Sequence, residues 1–211
     1  MITLALSKGK LLEQSLEVLS RAGFPVQARS GRSLSLDLAS QSIKILLTKD
    51  FDTPLYVEHG VADLGICGRD ILLERKELSV CEIADLGFGR CQIVVAGPKR
   101  CKDYDCSFAV RIATKYPRIA SEFFISREIP FELIKISGAV ELACVSGLAD
   151  LVVDLVETGQ TLQENGLKIL EVVGSSSARL IANNASHAMM PKRIEDIKRR
   201  LTDASNRKKN G

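Results

Sequence analysis

The sequence predicts an α/β protein built from two lobes of similar plan. Apolar segments of strand length alternate with helical patterns along nearly all of the 211 residues, and this alternation is typical of sheets covered by helices. One segment also recurs: Gly60-Val-Ala-Asp-Leu-Gly-Ile-Cys-Gly-Arg-Asp resembles Gly147-Leu-Ala-Asp-Leu-Val-Val-Asp-Leu-Val-Glu, and each copy follows a helix that carries Val-Glu. A chance recurrence of an ordinary helix-to-strand turn is the alternative. Ligands of such sheets bind beyond the carboxyl ends of the strands, in the crevice between halves.

The first half of the chain begins with a strand over residues 2–7, and an amphipathic helix follows it. Leu12, Leu16 and Leu19 recur at helical spacing, and the helix ends after Arg21. Further strands are predicted at 33–38, 43–47, 63–67, 80–86 and 91–96, with helices at 52–60 and 71–76.

The second half of the chain continues the alternation. Its most apolar segment is Leu151–Val156, which suits a strand buried on both faces, although a single carboxylate, Asp154, interrupts it. Strands are further predicted at 110–113, 131–136, 168–173 and 177–182, with helices from Pro117, at 139–146 and, as a mainly helical tail, at 183–209.

Composition excludes several classes of protein. The formal net charge is +3 and 45% of the residues are apolar, so neither a nucleic-acid role nor a membrane role follows from the charge. No apolar run approaches the roughly 18–20 residues of a membrane span, and the amino terminus lacks the features of a signal peptide. A cytoplasmic location is therefore expected. The basic tail at 192–209 is interpreted as a solvated helix, because no aromatic residues interleave its charges.

The six cysteines and two histidines indicate no metal or redox centre. No Cys-x-x-Cys pair occurs, and the scattered cysteines of an intracellular chain are most often small buried apolar residues. Cys101 and Cys106 lie in a polar connecting segment, where nothing points to an activated thiol.

The strongest sign of chemistry is the turn that follows the apolar strand, Glu157-Thr-Gly-Gln-Thr-Leu. The hydroxyls of Thr158 and Thr161 and the backbone N–H groups can surround a phosphate, and Gly159 allows the backbone to approach it. Asp154 and Glu157 can accept hydrogen bonds from sugar hydroxyls or hold Mg²⁺ through water. An ordinary turn with solvated acids is the alternative, but an acid inside a buried strand is costly without a partner.

Basic residues near the ends of other predicted strands could also bind an anion. Lys8 and Lys10 lie on either side of a glycine just before a helix, and Arg32 lies in a hairpin-like Ser-Gly-Arg-Ser. Taken singly, each is more often a solvated charge. Loops at 68–70 and 113–116 are expected to face the same crevice. Together these features indicate a phosphorylated substrate, and the residues alone specify it no further.

Longer motifs resemble the ATP phosphoribosyltransferases that begin histidine biosynthesis, in particular their short catalytic form. This resemblance implies that N1 of the ATP adenine displaces pyrophosphate from 5-phosphoribosyl 1-pyrophosphate, a pentosyl transfer assisted by Mg²⁺. It also implies a two-lobed, periplasmic-binding-protein-like (type II) fold with a cleft between the lobes. The matching pieces occur in order along nearly the whole chain: Leu4-Ala-Leu-Ser-Lys-Gly-Lys, Asp52-Thr-Pro-Leu-Tyr-Val-Glu-His-Gly-Val-Ala-Asp-Leu-Gly-Ile-Cys-Gly-Arg-Asp, Arg111-Ile-Ala-Thr-Lys-Tyr-Pro, Gly147 to Leu167, and Ser177-Ala-Arg-Leu-Ile-Ala-Asn.

The resemblance also implies roles for single residues. The family's catalytic cations correspond to Lys8, Lys10 and Arg32, which face the pyrophosphate and the nucleotide phosphates. Lys10 stands where the family commonly has arginine, so a point charge replaces a bidentate contact. Mg²⁺ is expected to be held mainly by the substrate, with Asp154 as a further ligand. The substrate-binding residues implied by the resemblance are Gly68, Asp70, Glu141, Asp154, Glu157, Thr158, Gly159, Gln160, Thr161 and Leu162.

Lobe boundaries and an assembly are implied in the same way. Residues 1–92 and 178–211 form lobe I, and residues 93–177 form lobe II, which carries the phosphoribosyl pyrophosphate loop. Because the chain ends soon after Asn183, it is similar to short forms that associate with a separate regulatory subunit resembling histidyl-tRNA synthetase. A homodimer within such a hetero-oligomer is expected.

Two other functions fit part of these observations. A non-catalytic receptor for a small anion shares the fold, but it has no need of acids beside a phosphate loop. A phosphoribosyltransferase that acts on a free base or an amine shares the loop, but the ordered matches at 8–10 and 68–70 favour ATP.

Overall fold

The computed structural model describes residues 1–24, 35–38, 43–99 and 109–206, and for 35–38 it describes the backbone alone. The chain divides into two compact units: unit 1 comprises Met1–Arg90 and Ser177–Gly211, and unit 2 comprises Cys91–Ser176. The boundaries expected from the sequence lie after residues 92 and 177. Three residues named from the sequence lie outside the described residues, namely Arg32, Cys101 and Cys106.

Unit 1 is built on a six-stranded mixed sheet. Numbered along the whole chain, its strands are β1 (Ile2–Ser7), β2 (Ser35–Leu38), β3 (Ile43–Thr48), β4 (Leu64–Gly68), β5 (Val80–Asp85) and β11 (Ala178–Asn183). They lie in the order β2-β3-β1-β4-β11-β5. β1 is parallel to β3 and β4, whereas β11 is antiparallel to β4 and β5, and β2 is antiparallel to β3. The carboxyl ends of β1, β3, β4 and β5 therefore lie at one edge of the sheet.

Helices cover both faces of this sheet. On one face, α1 (Lys10–Arg21) and α8 (Pro191–Asn206) form a core with alternate residues of the strands. On the other face, α2 (Thr53–Glu58) packs against the remaining strand residues in a second core. A short 3₁₀ helix (Asp50–Asp52) leads into α2, and α3 (Arg69–Glu74) follows β4. The first core includes Leu4, Leu6, Val18, Leu19, Ile194 and Leu201, and the second includes Ala5, Val57, Cys67 and Ile181.

Unit 2 is built on a five-stranded mixed sheet of β6 (Cys91–Pro98), β7 (Val110–Thr114), β8 (Phe131–Lys135), β9 (Leu151–Val156) and β10 (Leu167–Ser176), with helices α4 (Pro117–Ser126), α5 (Glu141–Val145) and α6 (Gln160–Glu164). The strands lie in the order β10-β6-β9-β7-β8. β7 is parallel to β8 and β9, whereas β6 is antiparallel to β9 and β10. In the central strand Leu151, Val152 and Val153 are at most 1% exposed, which confirms the predicted burial on both faces.

The two sheets share one plan. From β3 the order in unit 1 is β3-β1-β4-β11-β5, and from β8 the order in unit 2 is β8-β7-β9-β6-β10. Parallel and antiparallel pairs occupy the same places in both orders. Within the described ranges, β2 is the one strand without a counterpart. The repeated segment of the sequence leads into β4 in unit 1 and into β9 in unit 2.

The repeated segment forms the same turn in both units. The amide of Ala62 donates to the carbonyl six residues earlier at 2.9 Å, and the amide of Ala149 makes the equivalent bond at 3.0 Å. Gly60 and Gly147 have φ angles of 70° and 76°, the left-handed conformation that commonly ends a helix. The recurrence in the sequence is therefore a structural repeat.

The aspartate that ends each turn fixes the register of the strand after it. The Thr3 amide donates to Asp63 Oδ2 at 2.8 Å, and the Asp63 amide donates to the Thr3 carbonyl at 2.9 Å. Asp150 exchanges the same two bonds with Arg111 at the start of β7, at 3.0 and 2.8 Å. The Arg111 guanidinium also donates to both carboxylate oxygens, and these hydrogen bonds lower the pKa of Asp150.

The predicted helical tail consists of two helices. α7 (Asn184–Met189) begins after Asn183, whose side-chain oxygen accepts the Ser186 amide at 3.0 Å. Pro191 begins α8, because proline suits the first turn of a helix and cannot continue the preceding one. Among the described residues, no helix is both long and apolar enough to cross a membrane.

Four cysteines fall within the described ranges, and all four are free thiols. Cys67 is buried in the second core of unit 1, and burial raises the pKa of its thiol. Cys81, Cys91 and Cys144 are half-buried. The interpretation of the cysteines as small buried apolar residues therefore holds for Cys67, whereas the other three described cysteines are only partly buried.

Asp63→Ala is expected to destabilise the protein, because it removes the acceptor of two hydrogen bonds. The Thr3 amide loses its partner, and so does the Ser186 hydroxyl, which donates to Asp63 Oδ1 at 2.6 Å. We expect the free energy of unfolding in urea to fall by about 1–3 kcal/mol. Asp203→Ala, at an exposed position of α8, is the control and should change it by less than about 0.5 kcal/mol. Equal stability of the two variants would contradict the role of Asp63.

Candidate active site

β9 ends in the turn that the sequence marks as a phosphate site. Gly159 has φ 79° and ψ 0°, a left-handed conformation that glycine adopts without strain, and α6 begins directly after it. Thr158 and Thr161 are exposed, so their hydroxyls are available to a ligand. Leu162 is 6% exposed and packs in the core of unit 2. Its side chain therefore holds the turn against the core, and only its backbone can meet a ligand.

The acids near this turn differ in exposure. Asp154 is half-buried in β9, and its Oδ1 accepts the Leu155 amide at 2.8 Å. Glu157 is exposed at the start of the turn. Gln160 is also exposed, and its side-chain amide donates to Glu164 at 2.8 Å, one helical turn away. The turn thus presents hydroxyls, backbone amides and carboxylates within one short segment.

Glu141 begins α5 and is half-buried. Val140, directly before it, is fully buried and belongs to the same core cluster as Val156 and Leu162. Those two residues lie at either end of the turn after β9. One packed cluster therefore supports both the start of α5 and the candidate phosphate turn.

The carboxyl edge of the sheet in unit 1 carries the predicted cations. Lys8 and Lys10 are exposed, and Gly9 between them has φ 88° and precedes α1. The Lys8 amide donates to the Thr48 carbonyl at 3.0 Å, which joins the loop after β1 to the end of β3. Two lysines at the amino terminus of a helix favour an anion. Arg32, the third predicted cation, lies outside the described residues.

Three buried hydroxyls support this loop, and no sequence pattern indicated them. Thr53 Oγ1 lies 2.7 Å from Ser7 Oγ and 2.7 Å from Thr48 Oγ1, and none of the three residues is more than 6% exposed. Three backbone carbonyls lie 3.2–3.3 Å from the same hydroxyls. Each hydroxyl has only one hydrogen to donate. Two of the three hydrogens form the two hydroxyl–hydroxyl hydrogen bonds, so the third can reach only one of the three carbonyls at a time. Ser7 and Thr48 do end apolar strands, but Thr53 begins α2, so no single pattern in the sequence covers all three.

The turn after β4 is the counterpart of the turn after β9, but it is built differently. A Cβ at Gly68 would overlap Asp70 Oδ1, so the carboxylate is folded against the backbone. Asp70 is 4% exposed. Together with burial, its charge raises the pKa of the Cys67 thiol. A direct contact between Asp70 and a substrate stays a prediction, and it requires this side chain to leave its buried position.

The Ser177-Ala-Arg motif joins β11 to β5. The Arg179 guanidinium forms ion pairs with Glu82 at 2.8 Å and with Asp85 at 3.1 Å. The Asp85 carboxylate also accepts the Ser177 hydroxyl at 2.9 Å and the Gly87 amide at 2.8 Å. Burial alone would raise the pKa of Asp85, but these hydrogen bonds and the nearby arginine lower it. The motif therefore fixes the ends of two strands.

Comparison with known proteins decides the family. The family model for ATP phosphoribosyltransferase matches residues 49–203. An ATP phosphoribosyltransferase from Caldanaerobacter subterraneus is 46% identical over 97% of this chain and 98% of its own length. The chain belongs to the ATP phosphoribosyltransferase family. An ATP phosphoribosyltransferase from Lysinibacillus sphaericus is 42% identical over 99% of this chain and 97% of its own length.

Two solved structures are similar to this member of the ATP phosphoribosyltransferase family. A chain of the ATP phosphoribosyl transferase (HisG:HisZ) complex from Thermotoga maritima has a TM-score of 0.85 at 32% identity, with 98% of this chain and 100% of that chain covered. The periplasmic aliphatic sulphonate binding protein SsuA from Escherichia coli has a TM-score of 0.65 at 10% identity, with 97% and 68% covered. The second likeness concerns the fold alone. The predicted α/β fold of periplasmic-binding-protein type is confirmed.

Thr53→Val is expected to destabilise the ATP phosphoribosyltransferase fold. It keeps the side-chain volume but leaves two buried hydroxyls without their shared partner, which should lower the free energy of unfolding by about 1–3 kcal/mol. The Lys8 amide should also exchange its hydrogen faster, because the end of β3 that holds it is loosened. Thr53→Ser keeps the hydroxyl and should restore slow exchange. Slow exchange at Lys8 in Thr53→Val would show that the hydroxyls do not support this loop.

Proposed function

We propose that this chain is an ATP phosphoribosyltransferase, a pentosyltransferase that catalyses the first step of L-histidine biosynthesis. The lone pair of adenine N1 in ATP attacks C1 of 5-phosphoribosyl 1-pyrophosphate. The C1–N1 bond forms, the C1–O bond breaks, and pyrophosphate leaves with that electron pair, which gives N1-(5-phosphoribosyl)-ATP. The observation that carries the proposal is the 46% identity with an enzyme of this name over 97% of the chain, because a match of that extent includes both units.

The turn after β9 is the proposed site of the 5-phosphate. Its exposed threonines, Thr158 and Thr161, can donate hydroxyl hydrogens, and the left-handed Gly159 keeps the backbone free of a side chain where a phosphate would approach. Asp154 and Glu157 are proposed to accept hydrogen bonds from the ribose hydroxyls. The half-buried position of Asp154 supports this role, because a partly desolvated carboxylate binds a hydroxyl more strongly than an exposed one.

Charge separation in the reaction gives the other proposed residues their roles. Departure of pyrophosphate places negative charge on the leaving group and positive charge on the ribose ring. Lys8, Lys10 and Arg32 are proposed to bind the pyrophosphate and the nucleotide phosphates, and Glu141 is proposed to act near the ring. The exposed ends of Lys8 and Lys10 support this assignment. No general base is required, because adenine N1 already carries a lone pair.

A metal ion is generally expected for this family, and we propose Mg²⁺. Among the described residues no group of three or more His, Cys, Asp or Glu side chains is arranged to hold a metal. Mg²⁺ needs only one or two protein carboxylates when substrate phosphates and water supply its other ligands, so the residues fit a metal held mainly by the substrate, with Asp154 as one ligand. The bound ion would neutralise part of the charge that develops on the pyrophosphate.

The proposed assembly is a homodimer within a hetero-oligomer that includes a regulatory subunit similar to histidyl-tRNA synthetase. It is supported by the Thermotoga maritima structure, which is described as a complex of two components and contains a chain covered in full by this one. A cytoplasmic location stays a prediction from the sequence.

Formation of the adduct tests the activity directly. The protein is mixed with ATP, 5-phosphoribosyl 1-pyrophosphate, Mg²⁺ and pyrophosphatase, with and without a candidate regulatory subunit, and the ultraviolet absorbance of the product is followed. Pyrophosphatase removes the leaving group and prevents reversal. We expect absorbance to rise only when both substrates are present. No adduct under any of these conditions would exclude the proposed activity.

Thr161→Val should weaken binding of 5-phosphoribosyl 1-pyrophosphate and leave ATP binding close to normal. The substitution removes one hydroxyl donor to a charged phosphate while keeping the side-chain volume, and such a hydrogen bond corresponds to about a 10- to 100-fold change in affinity. Isothermal titration calorimetry measures both affinities. Thr202→Val on α8 is the matched control and should bind both substrates normally. Equal loss for both substrates in Thr161→Val would mean that the phosphate binds elsewhere.

A further inference from the structure

A phosphate at the turn after β9 lacks a cation within that segment. Between residues 154 and 164 the charged side chains are all acidic, namely Asp154, Glu157 and Glu164. A phosphate monoester brings a further charge of about −1.5 to −2 at neutral pH. Hydroxyls and backbone amides offer only partial positive charge. A cation from a neighbouring element would offset this repulsion.

Lys115 is placed to supply that charge. β7 runs parallel to β9, its last residue Thr114 pairs with Val153, and the Thr114 hydroxyl donates to the Val153 carbonyl at 2.7 Å. Lys115 therefore follows beside β9 at the level of Asp154, on the edge from which the turn extends. It is half-buried, and its side chain forms no hydrogen bond or ion pair with any described residue.

The repeated plan places a lysine near the carboxyl end of the same strand in each unit, Lys8 after β1 and Lys115 after β7. Ser7 and Thr114 each end the strand that lies parallel to the repeated strand of the unit. The Ser7 hydroxyl reaches the carbonyl of Ile66 in β4 at 3.3 Å, just as the Thr114 hydroxyl reaches a carbonyl in β9. In both units a lysine comes next in the sequence. Each unit thus carries a lysine at this end of the strand, and Lys115 lies one residue earlier in the register than Lys8, at the level of Ser7.

We propose that Lys115 is a further substrate-binding residue, whose ammonium group binds a phosphate oxyanion of 5-phosphoribosyl 1-pyrophosphate. The inference rests on the proposed function, because it takes that substrate as the ligand. The substrate has phosphate oxyanions in two places, its 5-phosphate and its pyrophosphate. Lys115 stands level with Asp154, and the turn that carries Thr158 begins after Val156, two residues farther along β9. The absence of a basic residue in that turn favours the 5-phosphate.

Neutral and conservative substitutions test this role against a matched control. Lys115→Gln removes the charge, Lys115→Met is a second neutral variant, and Lys115→Arg keeps the charge. Lys168→Gln is the control, because Lys168 is also half-buried, has no side-chain partner among the described residues, and lies at the opposite edge of the same sheet. Calorimetric titration measures the affinity of each folded variant for 5-phosphoribosyl 1-pyrophosphate, for pyrophosphate and for ribose 5-phosphate.

We expect both neutral variants to bind 5-phosphoribosyl 1-pyrophosphate and ribose 5-phosphate about 10- to 100-fold more weakly. Pyrophosphate should bind as before, Lys115→Arg should recover most of the affinity, and Lys168→Gln should match the wild type. Loss confined to the substrate and pyrophosphate would also support the binding role and would assign Lys115 to the pyrophosphate.

Unchanged affinity for all three ligands in the neutral variants, or an equal loss in Lys168→Gln, would overturn the role of Lys115. The wild-type protein separates this failure from failure of the proposed function. If the wild type forms the adduct while Lys115→Gln binds normally, only the role of Lys115 is lost. If the wild type binds no 5-phosphoribosyl 1-pyrophosphate, the proposed function is lost as well.

Discussion

Register between parallel strands is the constraint on which both units depend. Ligand-binding loops of such sheets extend from the carboxyl ends of the strands, and the relative heights of those ends are set by the pairing at the amino ends. Asp63 sets that pairing with Thr3 in unit 1, and Asp150 sets it with Arg111 in unit 2. A slip of one residue would move every side chain of the strand to the other face. In each unit the loops at the carboxyl edge of the sheet are therefore positioned by contacts at its amino edge.

The two sheets share one plan, but the loops at their carboxyl edges carry different functional groups. In unit 1 the loop after β1 presents Lys8 and Lys10, and buried hydroxyls support it from below. In unit 2 the turn after β9 presents threonines beside Asp154 and Glu157. In the proposed reaction, cations such as those of the first edge would offset the negative charge on the leaving group, and acids such as those of the second would offset the positive charge on the sugar ring. The duplicated architecture supplies the scaffold twice, and a few loop residues distinguish the two copies.

Local patterns were sufficient for the strands, the turns and the repeat. The apolar run at 151–156 predicted a strand buried on both faces, and Gly60 and Gly147 marked the ends of two helices. Contacts between residues distant in the sequence could not be predicted, because periodicity indicates which face of an element a residue lies on but not which residues it contacts there. Ser7 and Thr53 lie 46 residues apart, and the burial of Asp70 depends on how its turn folds against Gly68.

The class of ligand and the identity of the reaction could likewise be predicted to different extents. Threonines, a glycine and acids after a buried strand indicate a phosphorylated ligand from their functional groups alone. Leu162 matched the same motif, yet its side chain lies in the core, since a loop of this kind also needs an apolar residue to hold it in place. The nucleophile could not be inferred from any residue, because adenine N1 belongs to the substrate. It followed from the resemblance to the family.

Nuclear magnetic resonance of the bond formed tests phosphoribosyl transfer to adenine N1 most directly. The protein is incubated with 5-phosphoribosyl 1-pyrophosphate labelled with ¹³C at C1 and with ATP labelled with ¹⁵N in the adenine ring. Transfer to N1 predicts a one-bond coupling between the labelled carbon and ¹⁵N1, together with release of pyrophosphate. Labelled carbon found only in ribose 5-phosphate, or coupled to another nitrogen, would contradict it.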